Sequence, residues 1–193
     1  MNKKWLITGA SGFIGTNYIQ YLLEKGYHDI INIDKAQPLC EGHNKYWIDC
    51  NILDKEKVID IFLKNKPDYV LHLAARTDVD GSTLSDYVDN TIGTENIISA
   101  IQVTSSVRHV IFTSTQYVFQ PGDVEPRNEE DYLPHTEYGQ SKVLNELAVR
   151  NANLHCIRTI IRPTNIWGPW HLRYRDQFIR ILYKGMYFHP KII

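Results

Sequence analysis

The stretch that decides the fold is Trp5–Leu23, WLITGASGFIGTNYIQYLL. A short apolar run meets Gly9, Gly12 and Gly15, and an amphipathic run follows. This reads as strand, tight turn and helix. Gly9 ends the strand and can take backbone angles closed to other residues. Gly12, at the helix start, lets backbone approach a ligand with no Cβ in the way, and Gly15 allows the helix to lie close to the strand. The unpaired N–H groups and positive dipole end of that helix would then face a pyrophosphate. Taken alone, the glycines fit a flexible turn as well. Their spacing, G-x-x-G-x-x-G, is one residue longer between the first pair than the common dinucleotide fingerprint.

Downstream context favours the cradle. Apolar runs at Lys4–Gly9, Asp29–Asp34, Lys45–Asp49, Asp68–Ala74, His109–Thr115 and Leu154–Pro163 alternate with helix-like stretches at 12–25, 54–64, 83–103 and 137–151. Most of the strands are continuously apolar, as in a parallel sheet covered on both faces. The order predicts an α/β fold, a doubly wound Rossmann-type parallel sheet with helices on both faces. Pro67 stops the helix before the fourth strand. Phe119–Glu137, with three prolines and five acidic residues before its final glutamate, reads as a long surface loop. Residues 1–165 are assigned to the nucleotide-binding domain, and 166–193 to the start of a substrate-binding region that looks cut short. One more helix is expected at about Asp176–Lys184.

Asp34 ends the second strand, 19 residues after Gly15. A carboxylate there accepts hydrogen bonds from adenosine ribose hydroxyls and repels a 2′-phosphate, which favours NAD over NADP; Lys35 beside it softens that preference. Asp34 also suits a plain strand-end turn. Asn51 and Ile52 are placed to touch an adenine edge, though a turn with Asp54 as helix N-cap fits the same residues. Ala74 and Ala75 leave room for a cofactor where the fourth strand ends. His72 reads as a packed core histidine.

The 193 residues carry a net charge of −1, with 43% hydrophobic and 22% charged residues. That balance offers no electrostatic basis for a nucleic-acid or membrane partner. Cys40, Cys50 and Cys156, without CxxC spacing, form neither a disulfide framework nor a zinc site, and no metal is expected. A reducing cytoplasm fits such cysteines. No run approaches the roughly 18 apolar residues of a membrane span, and the polar residues inside the first apolar stretch argue against a signal peptide.

The catalytic candidate is YGQSK, Tyr138–Lys142. Residues i and i+4 share a helix face, so the ammonium would lower the phenol pKa toward working pH. Surface helices carry such pairs too. Thr113, Ser114 and Thr115 place three hydroxyls where the fifth strand ends, the edge at which ligands bind in open α/β sheets; threonine also simply favours strands.

Together TGASGFIG, Asp34, HLAA, NTIGT (Asn90–Thr94), the hydroxyl cluster, YGQSK and RPTNIWGP (Arg162–Pro169) resemble the extended short-chain dehydrogenase/reductase family, within it the NAD-dependent nucleotide-sugar epimerases and dehydratases. The resemblance implies that Gly9, Gly12, Gly15 and Asp34 hold NAD, with Phe13 and Ile14 offering N–H groups to its pyrophosphate. Leu73, Ala74, Ala75, Asn90, Thr113, Pro163 and Thr164 would lie along the cofactor, Lys142 on the nicotinamide ribose. Tyr138 would exchange a proton with a sugar hydroxyl, and Thr115, with Ser114 as second choice, would be the catalytic hydroxyl. Thr77 and Asn165 would meet the substrate. A homodimer built on the 83–103 and Tyr138 helices is also implied.

Two departures stand out. Gln116 and Tyr117 occupy the place of the Asp-Glu pair of the 4,6-dehydratases, which points away from dehydration and toward epimerisation or plain oxidoreduction. The chain is also shorter than family members, and is expected to be a fragment. A carbonyl or hydroxysteroid-type reductase of the same superfamily, or a dinucleotide-binding sensor without turnover, are the alternatives.

Overall fold

Leu6 and Ile7 are neighbours on the first strand, β1 (Trp5–Thr8), and both are fully buried. Successive strand side chains point to opposite faces, so each face of β1 must be covered. Leu6 belongs to a core with Ile33, Val58, Phe62, Val70, Ile97, Ile101, Val110 and Phe112. Ile7 belongs to a second core with Ile19, Leu22, Ile30 and Leu71. The computed structural model describes residues 3–120, 122, 125–172 and 175–186. Met1 and Asn2, three residues of the predicted loop (Pro121, Asp123, Val124), Arg173 and Tyr174, and the closing 187–193 stretch lie outside the described residues.

The remaining strands are β2 (Ile30–Asp34), β3 (Trp47–Asp49), β4 (Tyr69–His72), β5 (His109–Thr113) and β6 (Ile157–Ile161). They form one sheet in the order β3-β2-β1-β4-β5-β6, every pair parallel. The doubly wound arrangement expected from the sequence is the one observed. Helix α1 (Phe13–Glu24) supplies the second core, while α2 (Lys55–Asn65), α3 (Ile92–Gln102) and α4 (Glu137–Asn151) face the first. Strand order reverses between β1 and β4, and the reversal opens a crevice at the carboxyl ends of those strands. The far edge is less covered: on β6, Ile157 is 67% exposed.

Helix starts follow their chemistry. Asp54 caps α2 by accepting from the Lys57 N–H at 3.1 Å, and Thr136 caps α4 by accepting from the Gly139 N–H at 2.9 Å. No side chain caps α1, whose N-cap is Gly12. At the other end of α2, Lys66 takes a left-handed conformation (φ 49°) just before Pro67.

The helix expected over 83–103 is shorter. A 3-10 turn, Leu84–Tyr87, comes first, and α3 begins at Ile92. Local bonds outcompete a continuous helix here. Thr83 and Asp86 form a capping box around the short turn, the Tyr87 hydroxyl accepts from the Gly81 N–H, and Asn90 turns its amide onto the backbone of Arg76. The last predicted helix starts as a π-helical stretch, Arg175–Ile179, and continues as α5 (Arg180–Tyr183).

Past His72 the β1–β4 ladder passes to the Thr8 side chain: the Leu73 N–H is shared between the Thr8 carbonyl and Thr8 Oγ1, and the Ala74 N–H donates to Thr8 Oγ1, all at 3.1 Å. With both acceptor sites used, the Thr8 hydroxyl must donate its proton to His72 Nδ1, 2.7 Å away. His72 Nε2 then carries the ring proton and donates to Thr94 Oγ1 at 3.2 Å. Thr94 also accepts from Asn145 Nδ2 and donates to the Asn90 carbonyl. His72 is therefore neutral. Burial, aided by the Lys142 ammonium, lowers its pKa to about 3.

Two outcomes follow from this packing. A Cβ on Gly15 would lie 2.2 Å from Ala10 Cα, a backbone atom that cannot swing aside, whereas one on Gly12 meets only the Gly9 carbonyl at 3.3 Å. Urea denaturation is expected to show Gly15→Ala destabilised by about 1–3 kcal/mol and Gly12→Ala by less than about 1 kcal/mol, the cost of alanine at an N-cap. For His72, the unfolded chain takes up a proton as pH falls through 6.5 and the folded chain only near 3. Stability therefore declines as pH drops across that window. His72→Gln, though less stable at neutral pH, is expected to show a shallower decline when unfolding is followed from pH 7 to 4.

Candidate active site

The turn after β1 is held from β2 at three points. The Gly9 N–H donates to the Ile33 carbonyl at 2.9 Å, the Ser11 N–H to Asp34 Oδ2 at 3.0 Å, and Asn32 Nδ2 to Ser11 Oγ at 3.0 Å. Gly9 has φ 69°, and a Cβ there would sit 2.6 Å from the Ala74 nitrogen. Strain and space both require glycine. The result is a cleft of about 550 Å³ at the carboxyl edge of the sheet. Gly9, Gly12, Phe13, Ile14, Gly15, Asp34, Asn51, Ile52, Leu73, Ala74, Ala75 and Thr77 all line it. These residues come from four different strand ends and were named from the sequence as cofactor or, for Thr77, substrate contacts.

The cleft fits a dinucleotide. Uncapped N–H groups of α1 open into it, and Gly12 leaves its floor bare of side chain. Asp34 spends one lone pair on each oxygen, on the Ser11 and Ala36 N–H groups, which leaves further acceptor capacity on both oxygens at the cleft rim. Asn51 turns its Oδ1 to the Leu53 N–H at 3.0 Å, so the turn and the cleft wall are both built from it. Ile52 is wedged against α3, where a Cβ on Gly93 would come within 2.4 Å of Ile52 Cδ1.

A second group gathers one strand along, at the end of β5. Lys142 is 3% exposed and donates to the Thr113 carbonyl at 2.9 Å. Burial lowers its pKa to about 8, against the pull of Glu146. Thr115 accepts from the Tyr117 N–H, and its hydroxyl is near enough to Tyr138 to favour the phenolate. The sequence predicted a Tyr138 pKa lowered by Lys142. Here it is raised: burial pushes it up more than Thr115 pulls it down, and Tyr117 and Tyr87 add to the rise. The reason is geometric, since the Lys142 ammonium is turned to the Thr113 carbonyl. Thr113 Oγ1 is buried with no hydrogen-bond partner among the described residues, and Thr113 is not among the residues that line the cleft.

Other predicted residues have different partners. Ser114 Oγ donates to Glu146 Oε1 at 2.5 Å, facing into the protein. Asn90 is fully buried and uses its whole amide on Arg76 N and O and on Ser141 Oγ, so it fixes the chain after β4 to the helix that carries Tyr138. Pro163 accepts from the Gln116 N–H at 3.1 Å; Thr164 and Asn165 are exposed beyond β6, and none of the three lines the cleft.

Three features were not read from the sequence. Glu146, with its side chain 0% exposed, receives both Nε and Nη2 of Arg162 at 2.7 Å and the Tyr132 hydroxyl at 2.9 Å. Burial pushes its carboxyl up, but the bonds from Arg162, Ser114 and Tyr132 outweigh that and hold it low. Its signal was available: Tyr138, Lys142 and Glu146 are spaced by four, on one helix face. Lys35 pairs with Asp89 at 2.9 Å across the cleft rim. Finally, residues 168–172 cross the start of α1. Asn17 Nδ2 donates to the Pro169 carbonyl, the Phe13 and His171 rings lie 4.6 Å apart, and Trp170, His171 and Leu172 border the cleft. Nothing in their composition marked them for that wall.

Comparison with known proteins matches this framework. The model of the NAD dependent epimerase/dehydratase family matches residues 5–187. The UDP-glucose 4-epimerase of Mycoplasma pneumoniae is 32% identical over 163 residues, 77% of this chain and 47% of that protein. The GDP-6-deoxy-D-talose 4-dehydrogenase of Aggregatibacter actinomycetemcomitans is 30% identical over 170 residues, 86% of this chain and 53% of that protein. The solved structure of Thermus thermophilus UDP-glucose 4-epimerase in complex with NAD aligns with a TM-score of 0.70 and 26% identity, over 86% of this chain and 56% of that one. The chain thus spans about half the length of the curated relatives it matches. Because the family match runs from β1 through α5, and so takes in the sheet, the cleft and the Tyr138 helix together, the chain belongs to the NAD-dependent epimerase/dehydratase family of enzymes.

Proposed function

We propose that the chain binds NAD in the cleft and contributes the acid–base group of an oxidoreductive epimerase, or a related oxidoreductase, acting on a nucleotide sugar. The observation that carries this reading is the pairing of two sites on adjacent strand ends: a glycine cradle with Asp34 at its rim, and, where β5 ends, Thr115 near the buried Tyr138 with Lys142 one helical turn further along α4. Relatives named as UDP-glucose 4-epimerases support the nucleotide-sugar class.

Bound NAD supplies the hydride acceptor and donor, and a positive ring charge that acts downward on a nearby phenol pKa. Thr115 would orient a substrate hydroxyl, and Tyr138, held protonated by burial, would return a proton to the substrate oxygen or, once deprotonated, take one. One Lys142 proton is committed to the Thr113 carbonyl, which leaves two N–H donors for ribose hydroxyls or the phenolate. Gln116 and Tyr117 follow Thr115 in a short 3-10 turn and bring no carboxylate pair to the site, which disfavours 4,6-dehydration. A sensor without turnover is disfavoured by the intact Thr115–Tyr138–Lys142 set.

The wider setting belongs to the same proposal. Ile92, Val103, Leu144 and Leu147 leave apolar surface exposed on α3 and α4, in keeping with a homodimer built there. The three cysteines are free, which fits the cytoplasm. No helix among the described residues is long and apolar enough to cross a membrane.

Two measurements test the reading. In the longest native form of the protein, Tyr138→Phe is expected to lower nucleotide-sugar turnover by roughly 10²–10⁴-fold while NAD still binds; undiminished turnover overturns the acid–base assignment. Gly12→Ala keeps its fold but places a methyl group in the cradle. Calorimetric titration is expected to show NAD affinity falling roughly tenfold, the equivalent of about 1.4 kcal/mol. Unchanged affinity would mean that the diphosphate does not lie there.

A further inference from the structure

The rim of the cleft near Asp34 carries a second carboxylate. Asp89 lies just before α3, 54 residues from Lys35 in sequence, and its Oδ2 holds Lys35 Nζ at 2.9 Å. Both residues line the cleft together with Asp34, and Lys35 is the one lysine or arginine among its described lining residues. The two partners differ in freedom. The Lys35 side chain is 62% exposed on a flexible stem, while that of Asp89 is 19% exposed and adjoins Asn90, whose amide is fully engaged. Asp89 is therefore the fixed member and dictates where the ammonium sits.

We propose that Asp89 is a specificity-determining residue that, by holding Lys35, withholds the cleft's cation from a phosphate on the adenosine 2′-hydroxyl. This rests on the NAD reading above and extends it. Asp34, fixed by the Ser11 and Ala36 N–H groups, stands where the ribose hydroxyls are read. An ammonium on the next residue would otherwise offset its repulsion of a phosphate carrying roughly two negative charges. With Asp89 present the rim instead keeps one net negative charge, and the cation is turned away from the ribose position.

Affinities of the purified chain for NAD and NADP, the weaker read by displacement of the stronger, test this in three forms: unsubstituted, Asp89→Asn, and Asp89→Asn with Lys35→Ala. Asp89→Asn is expected to reduce the preference for NAD over NADP roughly fivefold, the scale of one exposed ion pair. The reduction should disappear in the double variant and shrink in about 1 M salt. An unchanged preference in Asp89→Asn overturns the inference while leaving NAD binding intact. A reduction that persists without Lys35 also overturns it, because repulsion by Asp89 itself would then be the cause. If the folded, unsubstituted chain bound neither nucleotide, the cofactor reading would fall and this one with it.

Discussion

The first turn of α1 rests directly on the backbone at Ala10, at a distance only glycine at position 15 permits. That single contact fixes the direction of the helix, and the direction decides what its amino end faces. β2 locks the other side of the turn through the Ile33 carbonyl, Asp34 and Asn32. A rigid turn matters because a helix end stabilises an anion only when its N–H groups are pre-aimed; a mobile turn would lose much of that gain to ordering. Asp34 has a double role here. One oxygen braces the Ser11 N–H that shapes the cradle, and the same carboxylate forms its rim. Removing it would therefore disturb both ends of the cleft.

α4 organises the second half of the site through two of its faces. Tyr138, Lys142 and Glu146 point toward the ends of β5 and β6, while Ser141 and Asn145 bond to Asn90 and Thr94. The helix is thus tied to the chain after β4 and to α3 by neutral hydrogen bonds, and to β6 by an ion pair. Burying Glu146 would be costly alone; the bidentate Arg162 pair, with Ser114 and Tyr132 on the remaining lone pairs, is the geometry that offsets it. Lys142 lies four residues before that carboxylate and is slightly supported by it. A buried ammonium with spare donors is set by a network that reaches well outside its own bonds.

Much of this was legible in the sequence because it lies in local pattern. Continuous apolar strands announced the parallel sheet, and the glycine triplet with Asp34 announced the cleft, whose lining includes every residue from Gly9 to Ala75 assigned to the cofactor. Legibility failed where a side chain's partner is far away in sequence. Asn90 looks like a residue beside a ligand, but its amide belongs to Arg76 and Ser141. The resemblance ranked Thr115 ahead of Ser114 by position only; the physical difference is Glu146, which takes up the Ser114 hydroxyl. The helix over 83–103 failed for a different reason, since its apolar spacing was real but side-chain-to-backbone bonds from Thr83, Asp86, Tyr87 and Asn90 cut it short. The wall at residues 168–172 is held by tertiary contacts with Phe13 and Asn17, far away in sequence.

The raised pKa of Tyr138 carries a mechanistic consequence. A phenol in a dry site resists ionisation, because the charged form loses more hydration than the neutral one. In the free site this favours the protonated phenol, and Lys142 does not compensate because its ammonium is directed at the Thr113 carbonyl. If Tyr138 is the acid–base group proposed above, its ionisation would call for a further positive charge near the phenol or a shift of the Lys142 ammonium toward it. The burial that raises the Tyr138 pKa would also strengthen the effect of any charge brought beside it, which would couple the proposed chemistry to occupation of the cleft.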